Sequence, residues 1–573
     1  MFRPARSLAA LLAIASPLFA QQDAPANRTS PPPQELVKLT ARSDLVLVPV
    51  IVTDKSGHHV PGLQKDAFRI EENGKLRDVS VFEEMKTENA SAAARDTKPA
   101  GYSNFILGDA HPWRITIVVL DMINTPWMRQ LEGKKQLIDY LSRSAISDEP
   151  MALFGLNSSG LRQLHPFTTD TKVLLDALQK LKLSLSSEER TQPPANLLDD
   201  PTEDQQSSEE AQLMSDFMQD LDTTITANYQ RIAARKTLAA LSQLARAFQA
   251  IPGRKTLIWA SAGFPFTMDD PQSFARQGDD LRPEYEQAWR SLDSANIAVY
   301  PIDLGSLDFT PSALPSANST VSSRQIANIR GTNGAKSALN LPYDQGVQQR
   351  LTLHAFADAT GGRACITVAE LEKCFAMAVD DSRAYYLLAY YLGADTQPGW
   401  RKLKVKVAGD GLHVRYRTGF YVAPKLQDTP ELRRQQIVDA LASPVQYTGL
   451  RLTARLMPPS GKLSSVLGTQ QEGPVEFMLG VMGDSLTVNR EQGNAVDLEI
   501  TALAFDSKHK SVASTSKALT TNLKPEMAQK ILETGLGISE KLDLPPGKYE
   551  VKFAVRDNLT GLLGTLSVPL DLK

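Results

Sequence analysis

The chain has 573 residues, 42% of them hydrophobic and 22% charged, with a formal net charge of -3 from 62 basic and 65 acidic side chains. At ~100–200 residues per domain this length predicts three or four domains, each able to bury its own core. The balance of charge argues against a nucleic-acid partner, which calls for a basic surplus or stripe, and no Cys/His cluster supplies the four ligands of a structural zinc site.

Arg3 and Arg6 precede an apolar run from Leu8 to Ala20, and Gln21, Gln22 and Asp23 end it. A positive start, a short apolar stretch and a small residue before a polar boundary predict a signal peptide over 1–20, cleaved after Ala20. An uncleaved anchor is the alternative, but the run is shorter than the ~20 residues of a membrane span. The mature chain is expected to be secreted or periplasmic, with no transmembrane span. Residues 21–34, with Pro31-Pro32-Pro33, predict an extended or disordered tether.

Residues 35–87 predict a small N-terminal β-domain. Leu45 to Val52 is rich in β-branched residues, Asp54-Lys55-Ser56-Gly57 is a turn, and Phe68 to Ile70 and Val79 to Phe82 flank the turn at Asn73-Gly74. An Ala/Ser/Thr/Lys-rich linker follows over 86–110. From Ile115 to Leu120 the sequence is nearly all apolar and ends at Asp121, as a strand buried on both faces does. Helical spacing over 127–144, a strand over 151–156, another over 161–165 and a helix over 173–181 come next. The cycle resumes with a helix over 227–250, closed by Pro252-Gly253, then strands over 256–259 and 297–302 around a helix over 282–294. This alternation predicts an α/β domain over 110–425, a doubly wound, mostly parallel sheet with insertions at 184–224 and 306–344. Helices over 346–359 and 368–380 flank a short strand at 363–366, and alternating strands at 385–391, 403–407 and 413–417 are expected to complete this domain. A helical linker over 430–445 leads to a C-terminal β-sandwich over 446–573.

In an open α/β sheet, ligands bind at the carboxyl ends of the strands. Asp121, Asn157, Ser261 and Asp303 are placed there. The run Asp121-Met-Ile-Asn-Thr125 resembles the start of the metal-ion-dependent adhesion site of von Willebrand factor type A (VWA) domains, which begins Asp-x-Ser-x-Ser. In that family the Asp and two hydroxyls help hold Mg²⁺, leaving a position for a partner carboxylate. Here Ile123 stands at the first hydroxyl position and Thr125 at the second, and Trp259-Ala-Ser-Ala-Gly263 offers no later carboxylate. The distal threonine has only Thr223 and Thr224 as loose counterparts. The resemblance therefore implies a degenerate Mg²⁺ site on Asp121 and Thr125, or a VWA fold without metal in which Asp121 caps the loop. A longer resemblance is carried by Val52-Thr-Asp-Lys-Ser-Gly57, Asp66-Ala-Phe-Arg-Ile-Glu-Glu-Asn-Gly74, Gly253-Arg-Lys-Thr-Leu-Ile-Trp259, Ala357-Asp-Ala-Thr-Gly-Gly362 and Asp381-Ser-Arg-Ala-Tyr-Tyr-Leu-Leu388. These stretches are similar to a VWFA-related family abundant in acidobacteria, which implies export and a VWA-like fold.

The expected function is that of an exported interaction module that binds another protein, in envelope assembly or adhesion. A structural envelope scaffold is the second reading. A serine hydrolase is the third, because Ser261, Asp303 and His354 follow the chain order Ser…Asp…His. Trp259, however, stands where the nucleophile elbow Gly-x-Ser-x-Gly has its first glycine. Cys365 and Cys374 form either a disulfide, which an oxidising compartment permits, or two buried thiols.

Overall fold

The structure is a computed structural model that describes residues 45–86, 101–104, 114–143, 149–186, 209–264, 281–304, 352–365, 371–393, 396–422, 428–456 and 475–572. The predicted signal peptide, the predicted tether and the predicted 306–344 insertion lie outside the described residues.

The chain first lays down strands β1 (Leu45–Thr53), β2 (Phe68–Glu72), β3 (Lys75–Arg77) and β4 (Val81–Lys86). A two-residue strand, β5 (Tyr102–Ser103), follows. Strands β6 (Thr116–Asp121), β7 (Met151–Asn157), β8 (Gly160–Thr168), β9 (Lys255–Ser261) and β10 (Ile297–Asp303) then form one five-stranded sheet in the order β10-β9-β6-β7-β8. β10, β9, β6 and β7 are parallel, and β8 returns antiparallel along β7. Cys365 adds a parallel bridge to Ile302 at the other edge, where a short strand is predicted.

Helices cover both faces of this sheet. Successive strand residues point to opposite sides, so Val118, Leu120, Ile258 and Ala260 pack with Leu137 and Leu141 of α1 (Trp127–Arg143), Leu174 and Leu178 of α2 (Thr171–Lys180), and Phe375 and Ala378 of a later helix. Ile117, Val119, Leu257 and Trp259 pack on the other side against α3 (Glu209–Phe248), α4 (Arg282–Ser294) and α5 (352–360). In α3 the buried residues Ala234, Leu238, Leu241, Ala245 and Phe248 recur at spacings of three and four, the stripe that a helix needs to bury one face. α3 starts at Glu209, so the last part of the 184–224 insertion is helix. Helix α5 ends with Gly361 at φ +76, and the Gly361 and Gly362 amides return to the Asp358 and Ala357 carbonyls. A Cβ on Gly362 would lie 1.9 Å from the Val299 carbonyl oxygen, so only glycine lets this turn press on β10.

After α6 (Leu371–Arg383) come β11 (Ala384–Tyr391), β12 (Gly399–Val407), β13 (His413–Tyr416) and β14 (Gly419–Val422). These correct two expected boundaries. β1 pairs with β11 and β13, and β4 with β11, giving the sheet β13-β1-β11-β4. β2 pairs with β12 in the sheet β14-β12-β2-β3. The predicted 35–87 β-domain is thus half of a sandwich whose other half is 384–422, and the α/β layer ends at Arg383 rather than near 425. The physical reason is that β1 is buried along almost its whole length and needs strands on both sides, which its own neighbours in sequence do not supply.

Helix α7 (Pro430–Ala442), with Thr429 as its N-cap, leads to β15 (Leu452–Leu456), β16 (Val475–Val481), β17 (Ala495–Asp506), β18 (Ser511–Asn522), α8 (Pro525–Thr534), β19 (Leu536–Leu542), β20 (Gly547–Asp557) and β21 (Leu563–Leu572). Two four-stranded sheets, β19-β16-β15-β5 and β18-β17-β20-β21, enclose an apolar core. One strand comes from the stretch read as a linker, since β5 pairs with β15. Asn104, which is buried, secures it by donating to the Tyr447 and Leu450 carbonyls and accepting from the Leu452 amide.

Candidate functional site

The site is built where β6 and β9 end side by side. β6 is buried over all six residues, which places Asp121 at the floor of the loop that follows. Asp121 Oδ1 accepts from the Asn124 amide at 3.1 Å. Its Oδ2 accepts from Asn124 Nδ2 at 2.8 Å, Trp259 Nε1 at 3.0 Å and the Ser261 hydroxyl at 3.0 Å. The single Ser261 hydroxyl proton is shared between Asp121 Oδ2 and the Gly263 carbonyl at 2.8 Å, and the hydroxyl oxygen accepts from the Gly263 amide at 3.2 Å.

Thr125, fully buried, accepts from the Ala262 amide at 3.1 Å and so stitches the β6 loop to the β9 loop. Asn124 Nδ2 reaches Thr237 of α3 at 2.8 Å. The Gln130 amide nitrogen lies within hydrogen-bond distance of the Met122, Thr125 and Ser184 carbonyls, which ties the same loop to α1 and to the segment after α2.

Asp121 is 2% exposed, and burial pushes its carboxyl up to about 6 against the pull of Asn124, Trp259 and Ser261. A rise from 3.8 to about 6 is worth about 3 kcal/mol, so desolvation outweighs these hydrogen bonds without cancelling them. The carboxylate is ionised at neutral pH and its charge is met by neutral donors.

These residues do not fit Mg²⁺. A cation would compete at Oδ2 with the Asn124 side chain, the Trp259 indole and the Ser261 hydroxyl, and at Oδ1 with the Asn124 amide. The side chain of Ile123 is buried in the apolar core shared with α3, and the Thr125 hydroxyl accepts from the Ala262 amide. Thr223 and Thr224 belong to α3. Among the described residues no group of three or more His, Cys, Asp or Glu is placed to hold a metal.

The other strand-end residues divide. Asn157 is used locally, accepting from the Ser159 amide at 2.8 Å in the tight turn into β8. Asp303 is buried, and its amide donates to the Cys365 carbonyl at 2.9 Å. Arg129, half-buried on α1, has its guanidinium pKa lowered by burial and partly restored by the attraction of Asp303 and Glu132. Cys365 and Cys374 form a disulfide, with Cα atoms 6.0 Å apart, joining the strand beside β10 to α6. The Ser261, Asp303, His354 arrangement does not assemble. Ser261 is 0% exposed, and its hydroxyl is bonded to Asp121 and Gly263, not to His354.

Sequence reasoning missed Asn124, Thr237 and Gln130, and saw Trp259 only as an obstruction. The signal for Asn124 is its place between Asp121 and Thr125. Nothing in the sequence connects Trp259 to Asp121, 138 residues away.

No family model matches the chain, and no curated protein matches it. Among solved structures it aligns with the crystal structure of Bacteroides uniformis beta-glucuronidase at 11% identity, covering 33% of this chain and 19% of that one, with a TM-score of 0.15. A likeness of that size carries no argument about fold or chemistry. Among the described residues no helix is long and apolar enough to cross a membrane.

Proposed function

We propose that the chain is an exported protein-interaction module with a VWA-like central domain, serving envelope assembly or adhesion by binding another protein. The observation that carries this reading is the central sheet. Its order is β8-β7-β6-β9-β10, only β8 is antiparallel, helices lie on both faces, and Asp121 ends the middle strand. That arrangement agrees with the resemblance carried by Asp121-Met-Ile-Asn-Thr125. Export is supported by the basic and apolar start of the chain and by the Cys365–Cys374 disulfide, which suits an oxidising compartment. A structural scaffold is the second reading, favoured by the burial of Asp121, Thr125 and Ser261, which leaves none of them at the surface.

A photo-crosslinking residue at Met128, 65% exposed in the first turn of α1 beside the strand-end loop, separates the two readings. Val512 on β18, 45% exposed, serves as the distant control. In intact cells the interaction module gives one discrete adduct from Met128 and none from Val512. Equal adducts at both positions point to the scaffold, and no adduct from Met128 sinks the strand-end interaction.

A further inference from the structure

We infer that the strand-end site is a closed hydrogen-bond clasp, in which the Trp259 indole and the Asn124 side chain hold Asp121 in the cation's stead and bar divalent metal from it. The inference concerns the chemistry of this site alone and stands independently of what the chain binds.

Three observations converge on it. First, Asp121 Oδ2 lies within hydrogen-bond distance of three donor groups, Asn124 Nδ2, Trp259 Nε1 and the Ser261 hydroxyl, which more than fill the two lone-pair directions of one carboxylate oxygen, and Oδ1 accepts from the Asn124 amide. Ligation would have to break bonds to an ionised acceptor, which are roughly twice as strong as neutral ones. Second, Trp259 cannot swing aside. Its ring is fully buried on β9, packed 5.7 Å from Phe264, and Phe264 packs onward against Phe356 in a tilted pair at 4.9 Å. Its N–H is aimed by the core, so the donor is pre-set at no cost in side-chain freedom.

Third, the loop cannot remodel around an ion. Asn124 is tied to Thr237, Thr125 to Ala262, and Gln130 to three carbonyls, so both flanks of Asp121 are stitched to α3, α1 and the β9 loop. Hard cations of this class need several oxygen ligands around them, and the position after Met122 presents the buried aliphatic Ile123 instead. Trp259 and Asn124 are therefore positioning residues. A partner meets this loop already ordered, and no shared divalent cation bridges it to a partner carboxylate.

The test follows the indole N–H resonances of the full chain, which has five Trp, with Trp259 assigned by loss of its peak in Trp259→Phe. In the wild-type protein the Trp259 resonance is shifted downfield by its carboxylate acceptor and keeps its intensity as Mn²⁺ is added. Saturable paramagnetic broadening of that resonance, reversed by EDTA, overturns the inference. In Asp121→Ala the Trp259 resonance moves upfield. Asp121→Asn removes the charge while keeping the shape, serves if the alanine variant fails to fold, and moves the peak in the same direction. A Trp259 resonance unmoved by either change overturns the clasp, whatever the metal result.

Discussion

Asp121 and Lys255 lie at opposite ends of neighbouring strands, β6 and β9, and both are shut away from water at 2% and 1% exposure. Asp121 is met by four donors. The Lys255 ammonium has a single hydrogen bond, to the Gly253 carbonyl at 3.0 Å, and burial alone pulls its pKa down to about 7. Around Lys255 the amino end of the sheet is bolted to the N-terminal sandwich by other groups. Arg254 donates to Tyr300 and to the Gly361 carbonyl, Tyr300 donates to Asp381, and Arg415 grips Asp381 with both guanidinium nitrogens. The contrast shows that a buried charge can be held by neutral donors built around it, as at the carboxyl end. Where donors or acceptors are lacking, as at Lys255, the group gives up its charge near neutral pH instead.

The largest expected effect tests the satisfied end. Asp121→Ala leaves the Trp259 and Asn124 donors without an acceptor. At ~1–3 kcal/mol for each orphaned buried donor, less the relief of not burying a carboxylate, the loss in a urea unfolding experiment should be about 3 kcal/mol. A loss well under 1 kcal/mol would break the comparison. Next comes the disulfide, which fixes the strand beside Asp303 to α6. With cysteines nine residues apart, replacing both by serine should cost about 2.5 kcal/mol by loop-closure entropy.

Lys255→Met tests the other end and has the opposite sign. The ammonium is lowered from 10.5 to about 7 on folding. The unfolded chain therefore holds the proton between those values while the native chain does not, and stability rises with pH across that window. The penalty is fully present below pH 7. The methionine variant should gain roughly 1–2 kcal/mol at pH 6, within the range seen when buried charge is replaced by apolar packing, and its stability should no longer climb between pH 7 and 10. For Asp121 the sign reverses. Its carboxyl rises from 3.8 to about 6 on folding, so the native state holds the proton more tightly and its contribution falls as pH climbs through that interval. Asp121→Asn should flatten that part of the curve. The smallest effect is the reference, Asp170→Ala. That exposed carboxylate caps α2 through one bond, to the Lys172 amide at 2.9 Å, and its loss should cost about 1 kcal/mol.

How much of this was legible in the sequence depended on whether the signal was local. Ile115–Asp121 reads as a doubly buried strand because β6 is apolar without alternation, and α1, α4 and α6 lie close to where their 3.6-residue spacing puts them. Asp121 was singled out because a carboxylate ending such a strand is conspicuous. Its partners were not, because the Trp259 indole meets it across 138 residues of chain. The N-terminal strands were seen but misassigned. Their alternation shows a face to bury, and nothing in 45–86 shows that the covering strands are 384–422. Tyr102–Ser103 sits in a stretch of linker composition, and only its pairing with Thr453 and Ala454 makes it a strand.

By itself the sequence determined the secondary structure of the long periodic segments and the parallel character of the central layer. These follow from backbone periodicity and burial within one stretch of chain. Tertiary structure alone decided which strands close the first sandwich, whether Cys365 and Cys374 meet, and what Asp121 does with its charge. Each of these depends on groups far apart in sequence that only packing brings together. For Asp121 the packing supplies an indole, an amide and a hydroxyl where the family resemblance left open a degenerate metal site or a metal-free loop cap.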